Sequence, residues 1–139
     1  MDVLLVIGRV LFALIFINSG IAHLTKLEAM TGYAKYKKVP AAKLSVIVSG
    51  LMILIGGLYI ALGIYADLGA LLIAAFLIPT AVLMHAFWKE TDATAKQNES
   101  IAFFKDISMA GAALIIFVLV ATGTDFGPSI TSAFFSFTR

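Results

Sequence analysis

The sequence predicts an all-α membrane protein folded as an antiparallel four-transmembrane-helix bundle. Of its 139 residues, 61% are hydrophobic and 13% are charged, against about 45–50% and about 25% in soluble domains. The apolar residues gather into four runs, each close to the roughly 20 residues that a helix needs to cross the hydrocarbon. The charged residues fall mostly between those runs. A soluble domain of this length has too little interior to hide so much apolar surface, which makes the bilayer the solvent for most side chains. Four spans use up the chain as a single domain, 1–139.

The first run covers about 3–24. Its amino end carries Asp2 and no lysine, and Arg9 interrupts the apolar stretch, so it reads as a retained span rather than a cleaved leader. The segment 25–43 follows as a basic loop, with Lys26, Lys35, Lys37, Lys38 and Lys43 against one acid, Glu28. It has room for a short interfacial helix that holds Tyr33 and Tyr36 at the headgroups. The second run, about 44–64, connects to the third, about 67–88, through Tyr65 and Ala66 alone, which forces an antiparallel hairpin. Lys89 to Ser100 is polar with mixed charge and reads as a solvated turn before the fourth run, about 101–123. Beyond Gly123 the tail is rich in Ser, Thr and Phe, and Gly127 with Pro128 breaks any helix there. That tail is expected on the membrane surface or partly disordered.

Orientation follows from the lysines. The first and third connections share one side and hold seven of them, while the other side has Arg139 and a snorkelling Arg9. Basic flanks stay in the cytoplasm, so loop 25–43 is expected there and both termini outside, in a prokaryotic plasma membrane. This bias accounts for the net charge of +2 and the pI near 9.0. No nucleic acid is needed to explain it; the lipid bilayer, with its anionic headgroups, is the partner it fits.

Advancing residues by about 100° each gives every span one small or polar face. These faces are Arg9, Phe12, Ala13, Phe16, Gly20 and His23 in the first span, and Ser45, Ser49, Met52, Gly56, Tyr59 and Gly63 in the second. The third aligns Asp67, Ala70, Ala74, Ile78, Ala81 and His85; the fourth aligns Asp106, Met109, Ala110, Ala113 and Phe117. Small residues let membrane helices approach, and ionisable groups avoid lipid. These faces should therefore turn inward.

Ionisable residues inside membranes are costly and mark functional candidates. His23 ends the first span, His85 lies near the end of the third, and Lys105 with Asp106 opens the fourth. All reach the lysine-rich side, where with Trp88, Glu28 and Lys26 they form a candidate polar pocket. An imidazole beside a carboxylate suits a proton relay, or a hydrogen bond to a quinone carbonyl. The plainer reading has two histidines capping the bundle at the headgroups and Asp106 at a helix amino terminus. Arg9 and Asp67, both toward the other side, are expected to form a structural ion pair.

Other chemistry is thinly represented. The chain has no cysteine, which removes disulfides, thiol redox chemistry and cysteine-held metals. Two histidines without a carboxylate-rich partner set make a poor metal or haem site, so no metal is assigned. Phosphate-cradling glycine loops and nucleophile elbows are missing. Pro79 is placed to kink the third span and free the carbonyl of Ala75.

The order of motifs resembles the DoxX family. It is carried by Arg9-Val-Leu-Phe, Ser19-Gly20 with His23-Leu24, Gly32-Tyr33-Ala34, Val39-Pro40, Gly56-Gly57-Leu58 to Gly63, His85-Ala86-Phe87-Trp88, and Phe103-Phe104-Lys105-Asp106 leading to Ala110-Gly111. The chain departs from the family pattern at Ile53, where many members carry an acid ahead of the glycine pair. The resemblance implies a four-helix fold. It also implies company that includes a subunit of a thiosulfate to quinone oxidoreductase, membrane redox-defence complexes and receptor-assembly chaperones. Vitamin K epoxide reductases share the helical architecture, but their thiol mechanism needs cysteines that are missing here. By the same resemblance Arg9, His23, His85 and Lys105 are family-pattern positions.

Two functions are therefore expected. One is an accessory oxidoreductase subunit of a redox or quinone-linked complex, with quinone beside His23, His85 and Asp106 and a peripheral or membrane partner docked on the lysine face. The other is a non-catalytic assembly factor or small-molecule passage that uses small residues to dock helices. Either allows a homo-oligomer.

Overall fold

A computed structural model describes residues 1–138; Arg139 lies outside the described residues. The helices are α1 (Asp2–Thr25), α2 (Leu27–Tyr36), α3 (Ala42–Leu62), α4 (Ala66–Met84) and α5 (Ala93–Ala121), with a single 3-10 turn at Phe87–Lys89. Among the described residues four helical segments are long and apolar enough to span a membrane, and the chain is an integral membrane protein with a helical bundle fold. The short α2 lies between the first two spans and packs Ala34 against Ala42 and Val46 of α3. A short helix is thus present in the basic loop as expected, and it leaves the Tyr36 ring exposed.

Glycine decides which helices touch. A Cβ on Gly20 would lie 2.7 Å from the Leu54 Cβ, and one on Gly57 would lie 2.8 Å from the Ile17 side chain, so α1 and α3 press together along most of their length. Gly56 and Gly69 do the same for α3 and α4 near their hairpin, where a Cβ on Gly56 would meet the Gly69 carbonyl at 2.8 Å. A methyl group at such a distance forces backbone apart. Packing runs in the order α1, α3, α4, α5. Phe16 of α1 and Ala110 and Ala113 of α5 join one core with Ile53, Ile60, Ile73 and Leu77.

Helix α5 begins at Ala93, about two turns before the expected start, and this corrects the reading of 89–100 as a solvated turn. The Asp92 side chain accepts the Ala95 backbone N–H at 2.8 Å and caps the helix, an interaction typical of N-caps. Its length of 29 residues, at 1.5 Å per residue, exceeds the roughly 30 Å hydrocarbon core. The first turns therefore stand clear of the acyl region.

Two corrections concern helix faces. Ile78 faces outward while Leu77 takes the inner position. In α3 the buried line is Ala42, Val46, Gly50, Ile53, Gly56, Gly57 and Ile60, so of the expected stripe Gly56 is central while Ser45, Ser49 and Met52 line a cavity instead. Helix α3 is embraced by α1, α2 and α4. Its inner face is consequently wider than one stripe and centred elsewhere.

The tail forms an irregular cap over the α3–α4 hairpin end. Ile130 and Thr131 donate their N–H groups to the Gly63 carbonyl at 2.9 and 3.1 Å, and Phe137 donates to Ala121 at 2.9 Å. Gly63 ends α3 with φ of +66° and lies so close to Ser129 that a Cβ would collide at 2.8 Å. Left-handed backbone and close approach together call for glycine there.

The expected Arg9–Asp67 ion pair is not formed; each charge is held by the tail. Arg9, 5% exposed, donates to the Pro128 and Phe126 carbonyls at 2.8 and 3.0 Å and lies 5.4 Å above the Phe126 ring. Asp67, 0% exposed, accepts the N–H groups of Phe134 and Phe135 at 2.9 and 2.6 Å. The tail's backbone thus gives partners to both terminal nitrogens of Arg9 and both oxygens of Asp67, charges that would otherwise be stranded among apolar side chains, while the buried Arg9 Nε has no partner among the described residues.

Candidate functional site: a cavity at the His85 end

At the opposite end the helices part. A cavity of about 660 Å³ lies between α3 and α4 and reaches α1, α2 and α5. That volume falls within the roughly 300–1,000 Å³ of small-molecule sites. Its walls are mainly Phe16, Val46, Met52, Phe76 and Leu77, and its polar side chains include Ser19, His23, Ser49, His85, Lys105 and Asp106.

His85 is the pivot. It caps α4 and stands between two carboxylates on α5, with Nδ1 2.7 Å from Glu99 Oε2 and Nε2 3.7 Å from Asp106 Oδ2. Those acids are two helical turns apart and so share a face. Glu99 also accepts from the Lys37 ammonium at 2.8 Å, and Lys37 lies 3.6 Å from Glu90. A carboxylate engaged with an ammonium is ionised, so the His85 Nδ1 must donate to it. The other ring nitrogen, Nε2, is left facing Asp106, as an acceptor in the neutral ring or a donor in the imidazolium.

Lys37 sits outside the spans. Burial disfavours its charge, but the hydrogen bond with Glu99 and the charges of Tyr33, Glu99 and Glu90 outweigh that and hold its pKa above the ordinary 10.5. The network therefore runs from the end of α2, through Glu99, to the cavity wall.

His23 is fixed differently. Its Nδ1 lies 2.8 Å from the Ser19 carbonyl, to which it donates, and its ring meets Phe76 edge to face at 6.2 Å. This tautomer makes Nε2 an acceptor. The cavity thus combines fixed donors and acceptors with mostly apolar walls.

The structure brings His23, His85, Lys105 and Asp106 to one cavity and leaves Trp88 out. Trp88 is half exposed and meets Phe87 and Phe103 edge to face. Glu28 lines a separate small cleft with Thr31, Lys35 and Lys43. Asp106 lies 6% exposed and well inside α5, so it is not the helix-terminal acid of the plainer reading. Glu99 and Lys37 were not among the candidate residues. The signal for Glu99 was Asp92, a good N-cap followed by helix-forming residues, which carries the helix back far enough to put Glu99 in register with Asp106. Among the described residues, no three His, Asp or Glu side chains converge as a metal set.

Together these features define a small helical membrane protein with a ligand-sized cavity at one end and a sealed cap at the other. The DoxX family profile matches residues 4–86, and the chain belongs to that family. It is similar to the inner membrane protein YphA of Escherichia coli (strain K12), with 31% identity over 114 residues that cover 82% of this chain and 81% of that protein. No solved structure matches the chain. The family match contains His23 and His85; Glu99, Lys105 and Asp106 come after it.

Proposed function

We propose that this DoxX-family protein is an accessory membrane subunit of a quinone-linked redox complex, with the quinone head in the cavity beside His85. The observation that carries the reading is the fixed His85: a ring braced by Glu99 presents Nε2 beside Asp106 at the wall of a largely apolar cavity. A quinone is a flat apolar ring with carbonyl acceptors, which become hydroxyl donors on reduction. Lys105 and an imidazolium at His85 suit the first form; Asp106 and the His23 Nε2 suit the second. With no cysteine in the chain, reducing equivalents come from a partner rather than from a thiol pair of its own.

In this proposal the lysine-rich end faces the cytoplasm by the positive-inside rule, and the partner docks there. The alternative, a passage or a helix-docking assembly factor, is supported less well. Gly20, Gly50, Gly56, Gly57 and Gly69 are used inside the bundle, and the tail covers the Arg9 end.

The test is thermal unfolding of the purified protein in lipid nanodiscs with a short-chain quinone analogue. The melting temperature rises with analogue concentration, and His85→Ala removes the rise. An unchanged melting temperature at saturating analogue would overturn the proposal.

A further inference from the structure

We infer that the cavity at the His85 end fills sideways from the bilayer: its occupant is a long-chain, lipid-soluble molecule that enters between α3 and α4. The inference rests on the quinone reading above and adds the route and the chain. The two helices are joined by the short link between Leu62 and Ala66. They are pinched together at one end by Gly56 and Gly69, and they part toward the other end with the cavity between them.

The rim of that gap belongs to the lipid-facing surface. Val48 of α3 and Leu83 of α4 both line the cavity, yet are 46% and 44% exposed on the outside of the bundle. Side chains that border an interior space and the exterior together mark an opening, and α3 and α4 supply more of them (Leu44, Val48, Pro79 and Leu83) than α1, where Ile15 alone lines the cavity while 44% exposed. By helical position they lie on matching edges of their helices, with Met52 and Pro79 deeper along the same edges.

Polarity is graded along the cavity. His85, His23, Lys105 and Asp106 gather at one end, while the stretch toward Ala75 is apolar. Ala75 and His85 are about 15 Å apart along the helix axis, at 1.5 Å per residue. The space therefore reaches about half way through a hydrocarbon core of about 30 Å. A small water-soluble molecule has no use for such a stem, whereas a head with an isoprenoid chain fits both parts. Pro79 supports the same shape, because it lacks the N–H that would bond the Ala75 carbonyl and so loosens α4 along the opening.

The experiment uses the full chain in nanodiscs and two quinone analogues with one head, a short-chain form and an isoprenoid form bearing a diazirine midway along its chain. Photolysis of the long form is expected to label Val48, Met52 or Leu83, and His85→Ala is expected to abolish the labelling. The pair Val48→Trp with Leu83→Trp should slow association of the long form by about tenfold, within the range that interface changes produce, and leave the short form nearly unaffected. Labelling on α5 or around Ile15 of α1, which also borders the cavity, would overturn the route. So would rim labelling that persists in His85→Ala, since that marks a bystander acyl chain. If the short form stabilises the protein but the chain labels elsewhere, only this inference falls. If neither form binds, the proposed function falls with it.

Discussion

His85 Nδ1 and Glu99 Oε2 lie 2.7 Å apart, a contact between the end of α4 and an early turn of α5. Through it a histidine at the cavity wall is tied to a carboxylate that also holds Lys37 of the basic loop. The loop, the third span and the fourth span thus meet at one carboxyl group.

Removing that group should release all three. Glu99→Gln keeps the size but loses the charge, and charge-assisted hydrogen bonds are worth about 1.5–3 kcal/mol each. A fall in thermal stability is expected. In a double-mutant cycle with His85→Ala, a coupling of at least about 0.5 kcal/mol should appear. Strict additivity of the two substitutions would contradict the contact.

Lys37 gives the network a signature in alkaline solution. Its pKa is raised on folding above the ordinary lysine value of 10.5, so the folded state holds the proton more tightly than the unfolded state. The stabilisation is complete below the unfolded value and is lost as pH rises through the folded one. Thermal unfolding of the wild type and of Lys37→Met should differ by a constant amount up to about pH 10 and converge above it. A difference that grows with rising pH would have the wrong sign.

The tail is predicted to be part of the fold rather than an appendage. Deleting 124–139 would strand the Arg9 and Asp67 charges, and breaking a buried charge's partnership costs about 3–5 kcal/mol. Loss of folded protein is expected. The milder Asp67→Asn should leave the spans intact while exposing the tail to limited proteolysis. A tail equally resistant to protease in wild type and Asp67→Asn would contradict the cap.

Glycines divide into two sets that mutagenesis should separate. A Cβ on Gly56 meets the Gly69 carbonyl at 2.8 Å, whereas one on Gly111 meets nothing within 4 Å. Gly56→Ala should destabilise, while Gly111→Ala should be neutral or stabilise by up to about 1 kcal/mol through helix propensity. Thermal melts of the two variants in one detergent check this.

Much of the architecture was legible because lipid imposes simple rules. Four apolar runs gave the spans, the two-residue link at Tyr65 and Ala66 gave the hairpin, and ionisable residues avoiding hydrocarbon placed His23, His85 and Asp106 together. What escaped the sequence depended on partners distant along the chain. Arg9 and Asp67 were each read as needing an opposite charge, but backbone carbonyls and amides of the tail satisfy them instead. Periodicity says nothing about an irregular tail. Polar residues after Asp92 looked like a turn because hydropathy cannot distinguish a solvated loop from a solvated helix, and Glu99 was lost with them. In α3 the serine stripe pointed to an interior, but that interior is the cavity rather than packed core.

In the proposed function a quinone head lies inside the bundle beside His85 Nε2. A density map of the protein in nanodiscs with a quinone analogue decides where that head sits. Head density is expected within hydrogen-bonding distance of His85 Nε2, between α3 and α4. A head located elsewhere, with only acyl chain beside His85, would overturn the proposed function.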